Sequence, residues 1–326
     1  MSARRALLTG AGGFVGANLT RRLLGEGHEV HVLLRPGSDT WRLADIREAL
    51  AVHEVDLRHQ QAVRAGVEAA APDWVFHLAA HGAYSWQSDA HGIFESNALG
   101  TLNLLDACID LGFEAFVHAG SSSEYGMKDH PPSEDEVPEP NSDYAVAKMT
   151  ATMLCRERAI RHGLNVATLR LYSVYGPWED PRRLIPVLVV HGLRDEMPPL
   201  VDPDTARDFV HVEDVCDAFL FAATTRPPGS DGIYNVGSGT QTSLRSLVQI
   251  TRRALNISAV PDWGSHAPRP WDTSLWVANP EKIARELGWQ PERDIESGLT
   301  EMAHWLEDHH ALWSRYGVRG RTPEVA

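Results

Sequence analysis

A short apolar strand that runs into Gly10-Ala11-Gly12-Gly13-Phe14-Val15-Gly16, and out into a helix, constrains this chain more than any other stretch. Ala6-Leu7-Leu8-Thr9 supplies the strand, and Ala17 to Leu24 mixes apolar and basic residues at helical spacing. In that order the elements build a phosphate cradle. Glycines at 10, 12, 13 and 16 allow close backbone approach, and the first amides of the helix face an anion with the positive end of the helix dipole. The spacing departs from the commonest G-x-G-x-x-G form, and a glycine turn with no ligand is the competing reading. The flanking strand and helix weigh against it.

The same alternation continues down the chain. His28 to Leu34 reads as a second strand ending in Arg35-Pro36-Gly37-Ser38. An acidic residue in this region would receive the ribose hydroxyls of NAD, whereas Arg35 and Ser38 suit a 2'-phosphate, so NADP is the expected cofactor and NAD the alternative. A strand from Val52 to Val55 ends at Asp56-Leu57, and a helical stretch runs from His59 to Ala70. Asp73 to Leu78 is the next strand, ending at Ala79-Ala80-His81. Asp56 is placed to accept from an adenine amine, and the two alanines leave room for a ribose. A helical pattern from Gly92 to Leu111 leads to a strand from Ala115 to His118, capped by Gly120 to Gly126. Strand and helix in regular alternation predict an α/β fold, a Rossmann-type doubly wound parallel sheet. Ligands in such a sheet lie beyond the carboxyl ends of the strands, where Gly10, His81, Ser121 and Tyr144 would converge.

Tyr144 and Lys148 stand four residues apart at the start of a segment, Asp143 to Ile160, with no internal glycine or proline. On a helix the two share a face, and an ammonium beside a phenol stabilises the phenolate. The pair is suited to exchanging a proton with a sugar or alcohol hydroxyl. Formal net charge is -14, which disfavours nucleic-acid binding. No apolar run approaches the ~20 residues needed to cross a membrane, and the opening residues lead straight into a strand, so a cytoplasmic protein is expected. Cys108, Cys155 and Cys216 fall in helical, apolar surroundings and read as buried thiols. The histidines at strand ends, His77, His81, His118 and His211, lack a short cluster of further ligands, and no metal site is expected.

With these residues in order, the chain resembles the extended short-chain dehydrogenase/reductase family, in particular its nucleotide-sugar epimerases, dehydratases and ketoreductases. The resemblance rests on Thr9 to Gly16, Asp56-Leu57, His77-Leu78-Ala79-Ala80, Gly120 to Gly126, Tyr144 with Lys148, Leu169 to Pro177 and Ala206 to Asp214. It implies that Phe14, Val15, Leu57 and Leu78 join the glycines and alanines around the cofactor. It also implies that Tyr144 transfers the proton, that Lys148 holds the ribose and that Ser121 orients the substrate oxygen. Asn97 would support the active-site ribbon next to the cofactor, and Ser122 and Ser123 would face substrate beside His81. Sugar 4,6-dehydratases carry an acidic pair where this chain has Ser122-Ser123, which removes the carboxylates needed for elimination; Glu124 comes one position late. Ser173 replaces the asparagine common in Arg170 to Pro177.

Beyond Pro177 the regular pattern breaks. Residues 1–175, completed by 205–225, are expected to form the dinucleotide-binding domain, with 176–204 and 226–320 forming a smaller substrate-binding domain. Arg207 resembles the family arginine that grips the diphosphate of a nucleotide sugar, with a salt bridge to Asp208 or Asp214 as the plainer alternative. Arg269 is a second diphosphate candidate. The helices containing Leu102 and Met149 would pair two copies into a homodimer, as family members do. The expected activity is reduction of a 4-keto-6-deoxy nucleotide sugar by hydride transfer to C4. A C4 epimerase is the alternative within the family, and a noncatalytic cofactor-sensing protein the alternative outside it.

Overall fold

Alternate residues of the first strand face opposite ways: Ala6 and Leu8 belong to one apolar core and Leu7 to another, and all three are fully buried. A strand buried on both faces belongs in a parallel sheet covered by helices on each side. The computed structural model, which describes residues 2–84, 86–225, 227, 230–265 and 273–318, has that architecture. Its strands in chain order are β1 (Arg5–Thr9), β2 (Glu29–Leu34), β3 (Ala51–Glu54), β4 (Trp74–His77), β5 (Ala115–Ser121), β6 (Val166–Leu171), β7 (Ser173–Tyr175), β8 (Ala206–His211), β9 (Ile233–Val236) and β10 (Gln241–Ser243). The main sheet runs β3-β2-β1-β4-β5-β6-β9, with every neighbouring pair parallel. A second, three-stranded sheet runs β10-β8-β7.

Helices follow as α1 (Phe14–Gly25), α2 (Gln60–Ala70), α3 (Ala90–Phe94), α4 (Gly100–Leu111), α5 (Asp143–His162), α6 (Leu184–Gly192), α7 (Val212–Thr224), α8 (Leu244–Ala254), α9 (Glu281–Leu287), α10 (Ile295–Asp308) and α11 (Trp313–Tyr316). Leu19 and Leu23 of α1 and Phe219 of α7 cover the sheet face that carries Leu8, Phe76, Val117 and Leu169. Val63 and Val67 of α2, Leu104 and Leu105 of α4 and Cys155 of α5 cover the opposite face, with Leu7, Val75 and Phe116. A separate core joins α6, α8 and α10 through Leu188, Leu247, Leu299 and Met302. Strand order reverses between β1 and β4, which opens a crevice at their carboxyl ends.

The expected domain bounds differ from this sheet in two places. Ile233–Val236, assigned to the smaller domain, is the seventh strand of the main sheet and pairs with β6. Ala206–His211, assigned to the dinucleotide domain, lies in the small sheet between β7 and β10, while α7 directly after it does pack on the main sheet. Short strands at the junction of two sheets carry no periodicity that says which sheet they enter. The helical pattern of 92–111 is α3 and α4 joined by a π-helical turn, Glu95–Leu99. All three cysteines are buried and unpaired, as read from the sequence. Among the described residues no helix is long and apolar enough to cross a membrane.

Candidate active site

The carboxyl ends of the central strands open into a cavity of about 510 Å³. Gly10 turns the chain there at φ +71°, and a Cβ on it would lie 2.5 Å from the backbone nitrogen of Ala79. Gly13 starts α1 without a side-chain cap, and a methyl on Gly16 would drive into the carbonyl of Gly10. Backbone packed this closely, with the first amides of α1 left to an external anion, fits a dinucleotide pyrophosphate. Gly12, Phe14 and Val15 border the cavity on this side, and Leu78, Ala79 and Ala80 border it from the end of β4.

Arg35 and Ser38 line the end of the cavity reached from β2, together with Asp39, which sequence reasoning did not single out. Asp39 approaches Arg315 at 3.5 Å. Further along lie Asp56, Leu57 and Arg58. Arg58 grips Asp56 through both carboxylate oxygens, Nε to Oδ1 at 3.0 Å and Nη2 to Oδ2 at 2.7 Å. Those hydrogen bonds hold the Asp56 carboxyl at about 2, so it is an ionised acceptor whose oxygens already receive a guanidinium.

At the opposite end stands α5, capped by the side chain of Ser142, which accepts from the amide of Ala145. Tyr144 in its first turn and Lys148 one turn later both line the cavity, as does Ser121 at the end of β5. Burial pushes the Tyr144 phenol up to about 12, and a hydrogen bond to Ser121 opposes the rise. Burial lowers the Lys148 ammonium to about 8. Its Nζ donates to the carbonyl of Ala119 and lies 3.1 Å from Nε2 of His118. Gly82, at φ +93°, brings the loop after β4 against the tyrosine, since a Cβ there would lie 3.4 Å from Cδ2 of Tyr144. Ser121 Oγ accepts from the amide of Ser123 and lies 2.8 Å from its hydroxyl.

Several expected site residues stand elsewhere. Ser122 and Ser123 do not line the cavity: the chain turns into a 3-10 helix at Ser122–Tyr125, which buries Ser122 and folds Ser123 back on Ser121. Asn97 is buried behind the wall rather than in the cavity. Its amide group donates to the carbonyl of His81 and accepts from the amide of His81, so it fixes a residue that does line the cavity. Ser173 sits in β7, paired with Phe209. Arg207, in β8, donates to the carbonyl of Ala206 and is likewise outside the cavity wall. Asp208 instead receives the amides of Ser238, Gly239 and Ala278, and Asp214 pairs with Arg293. Arg269 lies outside the described residues. Glu124 is sealed away from the cavity, accepting from Arg170 Nε at 2.9 Å, from the Ser121 amide and from Thr152. Tyr84, Gln87, Glu179, Asp180 and Arg183 line the cavity without having been expected there. Among the described residues no group of three or more His, Cys, Asp or Glu side chains is placed to hold a metal.

Residues 6–237 match a family described as the NAD dependent epimerase/dehydratase family. The chain is 30% identical over 334 residues to a dTDP-glucose 4,6-dehydratase of Streptomyces griseus, covering 97% of this chain and 98% of that protein. A UDP-glucose 4-epimerase of Thermotoga maritima, solved with UDP-glucose, superposes with a TM-score of 0.83 at 26% identity, over 93% of this chain and 98% of that one. The UDP-glucose 4-epimerase of Thermus thermophilus, solved with NAD, superposes at 0.81 with 28% identity, again over 93% and 98% of the two chains.

Proposed function

The chain belongs to the NAD-dependent epimerase/dehydratase family, among the extended short-chain dehydrogenase/reductases, and on that premise we propose that it reduces the C4 carbonyl of a 4-keto-6-deoxy nucleotide sugar. One observation carries this reading. Ser121, Tyr144 and Lys148 line one cavity, the two residues after Ser121 are serines with no carboxylate, and the nearest acid in sequence, Glu124, is locked to buried Arg170. Such a site can exchange a proton with the C4 oxygen and lacks, beside Ser121, the acid and base that elimination across C5 and C6 requires. When bound, the nicotinamide supplies the hydride. Tyr144 donates the proton to the oxygen formed at C4, Ser121 orients that oxygen, and Lys148 favours the phenolate left behind. Gly10, Gly13 and Gly16 hold the pyrophosphate against α1, and Asn97 keeps His81 at the mouth. Arg207 and Arg269 remain the proposed diphosphate ligands.

Arg35 with Ser38 supports NADP as the reductant. Asp39 supports a second reading, a C4 epimerase that retains NAD, because a carboxylate beside Arg35 suits ribose hydroxyls and repels a 2'-phosphate. Exposed apolar side chains at Leu111 on α4 and at Met153 and Ile160 on α5 support pairing of two copies along these helices. The test is a panel of 4-keto-6-deoxy and intact UDP-, dTDP-, GDP- and CDP-sugars with NADPH or NADH, followed by absorbance and product NMR. Reductase activity consumes one reduced cofactor per 4-keto sugar. Epimerase activity inverts C4 of an intact sugar with no net consumption.

A further inference from the structure

Glu179 lines the cavity beside Asp180 and Arg183, yet only 4% of its surface is exposed. Its Oε2 has no hydrogen-bond partner, and Oε1 stands 3.7 Å from Nε of Arg183, beyond hydrogen-bonding range. A buried carboxyl oxygen left in that state destabilises the fold. The backbone that presents it is also held against preference. Trp178 has φ +70°, in the left-handed region that bulky side chains avoid. The turn is clamped there: Arg42 donates to the carbonyl of Trp178 at 2.7 Å, and the hydroxyl of Tyr316 donates to the carbonyl of Glu179 at 2.6 Å. The guanidinium of Arg21 covers the Trp178 ring at 3.9 Å. A strained turn in a cavity wall, carrying an unpartnered polar group at its tip, matches the demands of a ligand contact rather than of packing.

We infer that Glu179 receives a hydroxyl of the substrate's sugar, at a ring position other than C4, and so sets which sugar the cavity accepts. The inference rests on the proposed nucleotide-sugar reading. O4 is allotted to Tyr144 and Ser121, which leaves the neighbouring hydroxyls for other lining groups. Asp180 is not an open acceptor, since Arg182 holds both its oxygens at 2.9 and 2.7 Å. The charged and titratable groups around Glu179 are Arg42, Tyr84, Asp180, Arg183 and Tyr316. Burial raises the carboxyl to about 8, so at neutral pH it is an acid that both donates and accepts, as a hydroxyl does.

The experiment takes the nucleotide sugar that the wild-type chain turns over best in the panel, its free nucleoside diphosphate, and its 2-deoxy and 3-deoxy analogues. Glu179→Ala is expected to lower kcat/KM about tenfold or more for the full sugar. Glu179→Gln, which keeps a donor and an acceptor, stays within about threefold. Affinity for the free nucleoside diphosphate and for the cofactor is unchanged in both, and the alanine penalty vanishes for one deoxy analogue. In the wild-type chain KM for the sugar rises above pH 8, and Glu179→Gln removes that rise, a comparison that does not depend on the alanine variant folding. Turnover by the wild-type chain that Glu179→Ala leaves unchanged, or an alanine penalty equal for every sugar and for the free diphosphate, overturns this inference alone. Absence of turnover across the panel defeats the proposed function and this inference together.

Discussion

Nζ of Lys148 stands 3.1 Å from Nε2 of His118 and donates to the carbonyl of Ala119, so the lysine one turn beyond Tyr144 is anchored at the end of β5 by a neutral imidazole and a backbone oxygen. Burial drives His118 well below its ordinary value, which keeps that imidazole an acceptor. The two helix partners therefore fail differently when changed. Tyr144→Phe is expected to cut kcat about 10²- to 10⁴-fold while cofactor affinity stays within about threefold. Lys148→Met lowers kcat and weakens cofactor binding together. Steady-state kinetics and a fluorescence titration with reduced cofactor separate the cases; equal loss of cofactor affinity in both variants would contradict the assignment.

Glu124 and Arg170 form an ion pair with both side chains essentially inaccessible to solvent, at 0% and 1%. Removing one charge strands the other in the interior, which costs about 3–5 kcal/mol. Glu124→Ala is expected to lose that much in denaturant unfolding, and to lose activity as well, because Glu124 also receives the amide of Ser121. A stable Glu124→Ala with full activity would show that the pair does not hold Ser121.

The glycines of the cradle are not equivalent. Gly16→Ala drives its methyl into the Gly10 carbonyl, with an overpacking cost of about 1–3 kcal/mol and a loss of cofactor affinity. At Gly12 the nearest atom to an added Cβ is 3.4 Å away, an ordinary contact, so Gly12→Ala keeps the native fold. Melting curves with and without cofactor distinguish them. Equal destabilisation by both would argue against the close approach at Gly16.

Acid should unfold this chain through its buried histidines. Burial lowers His77 and His211 from 6.5 to about 3 and pushes His118 down as well. Below 6.5 the unfolded chain takes up protons that the folded chain refuses, so stability is full above that value and is lost as pH falls towards 3. Glu179 acts in the opposite sense with a single proton, since its carboxyl is raised from 4.5 to about 8 and the folded chain binds the extra proton between them. His53 and His191 are lowered in the same sense as the three histidines, and Glu134, Asp208, Glu213 and Asp217 are raised in the sense of Glu179; with the deeply buried imidazoles dominating, unfolding free energy is expected to drop as pH falls from 6.5 to 5. A flat profile across that window would mean the imidazoles are charged in the fold.

Much of the fold is legible in the sequence. Ala6-Leu7-Leu8-Thr9 announced an apolar strand, the glycines after it the turn into α1, and the recurrence of strand and helix the parallel sheet. Tyr144 and Lys148 shared a face because four residues make one turn. What escaped the sequence depended on geometry without periodicity. Ser122 and Ser123 were set facing substrate by the family resemblance, and no periodicity in Gly120 to Gly126 marks the 3-10 turn that folds them back. Asn97, expected to support the active-site ribbon beside the cofactor, bonds the backbone of His81 from behind the wall and does not line the cavity itself. Glu179 gave no signal, since its place in the cavity wall depends on a left-handed Trp178, and no composition marks a non-glycine residue held there by Arg42 and Tyr316.

The central claim is that Tyr144 delivers a proton to the C4 oxygen of a nucleotide sugar while hydride reaches the adjacent carbon. Reduced cofactor deuterated at the transferred position of its nicotinamide, incubated with a 4-keto-6-deoxy nucleotide sugar, tests it most directly. The account predicts deuterium at C4 of the sugar, bound to the carbon that bears the new hydroxyl, and its near absence over the same time with Tyr144→Phe. Product formed with no label at C4, or labelling by Tyr144→Phe at the wild-type rate, would contradict it.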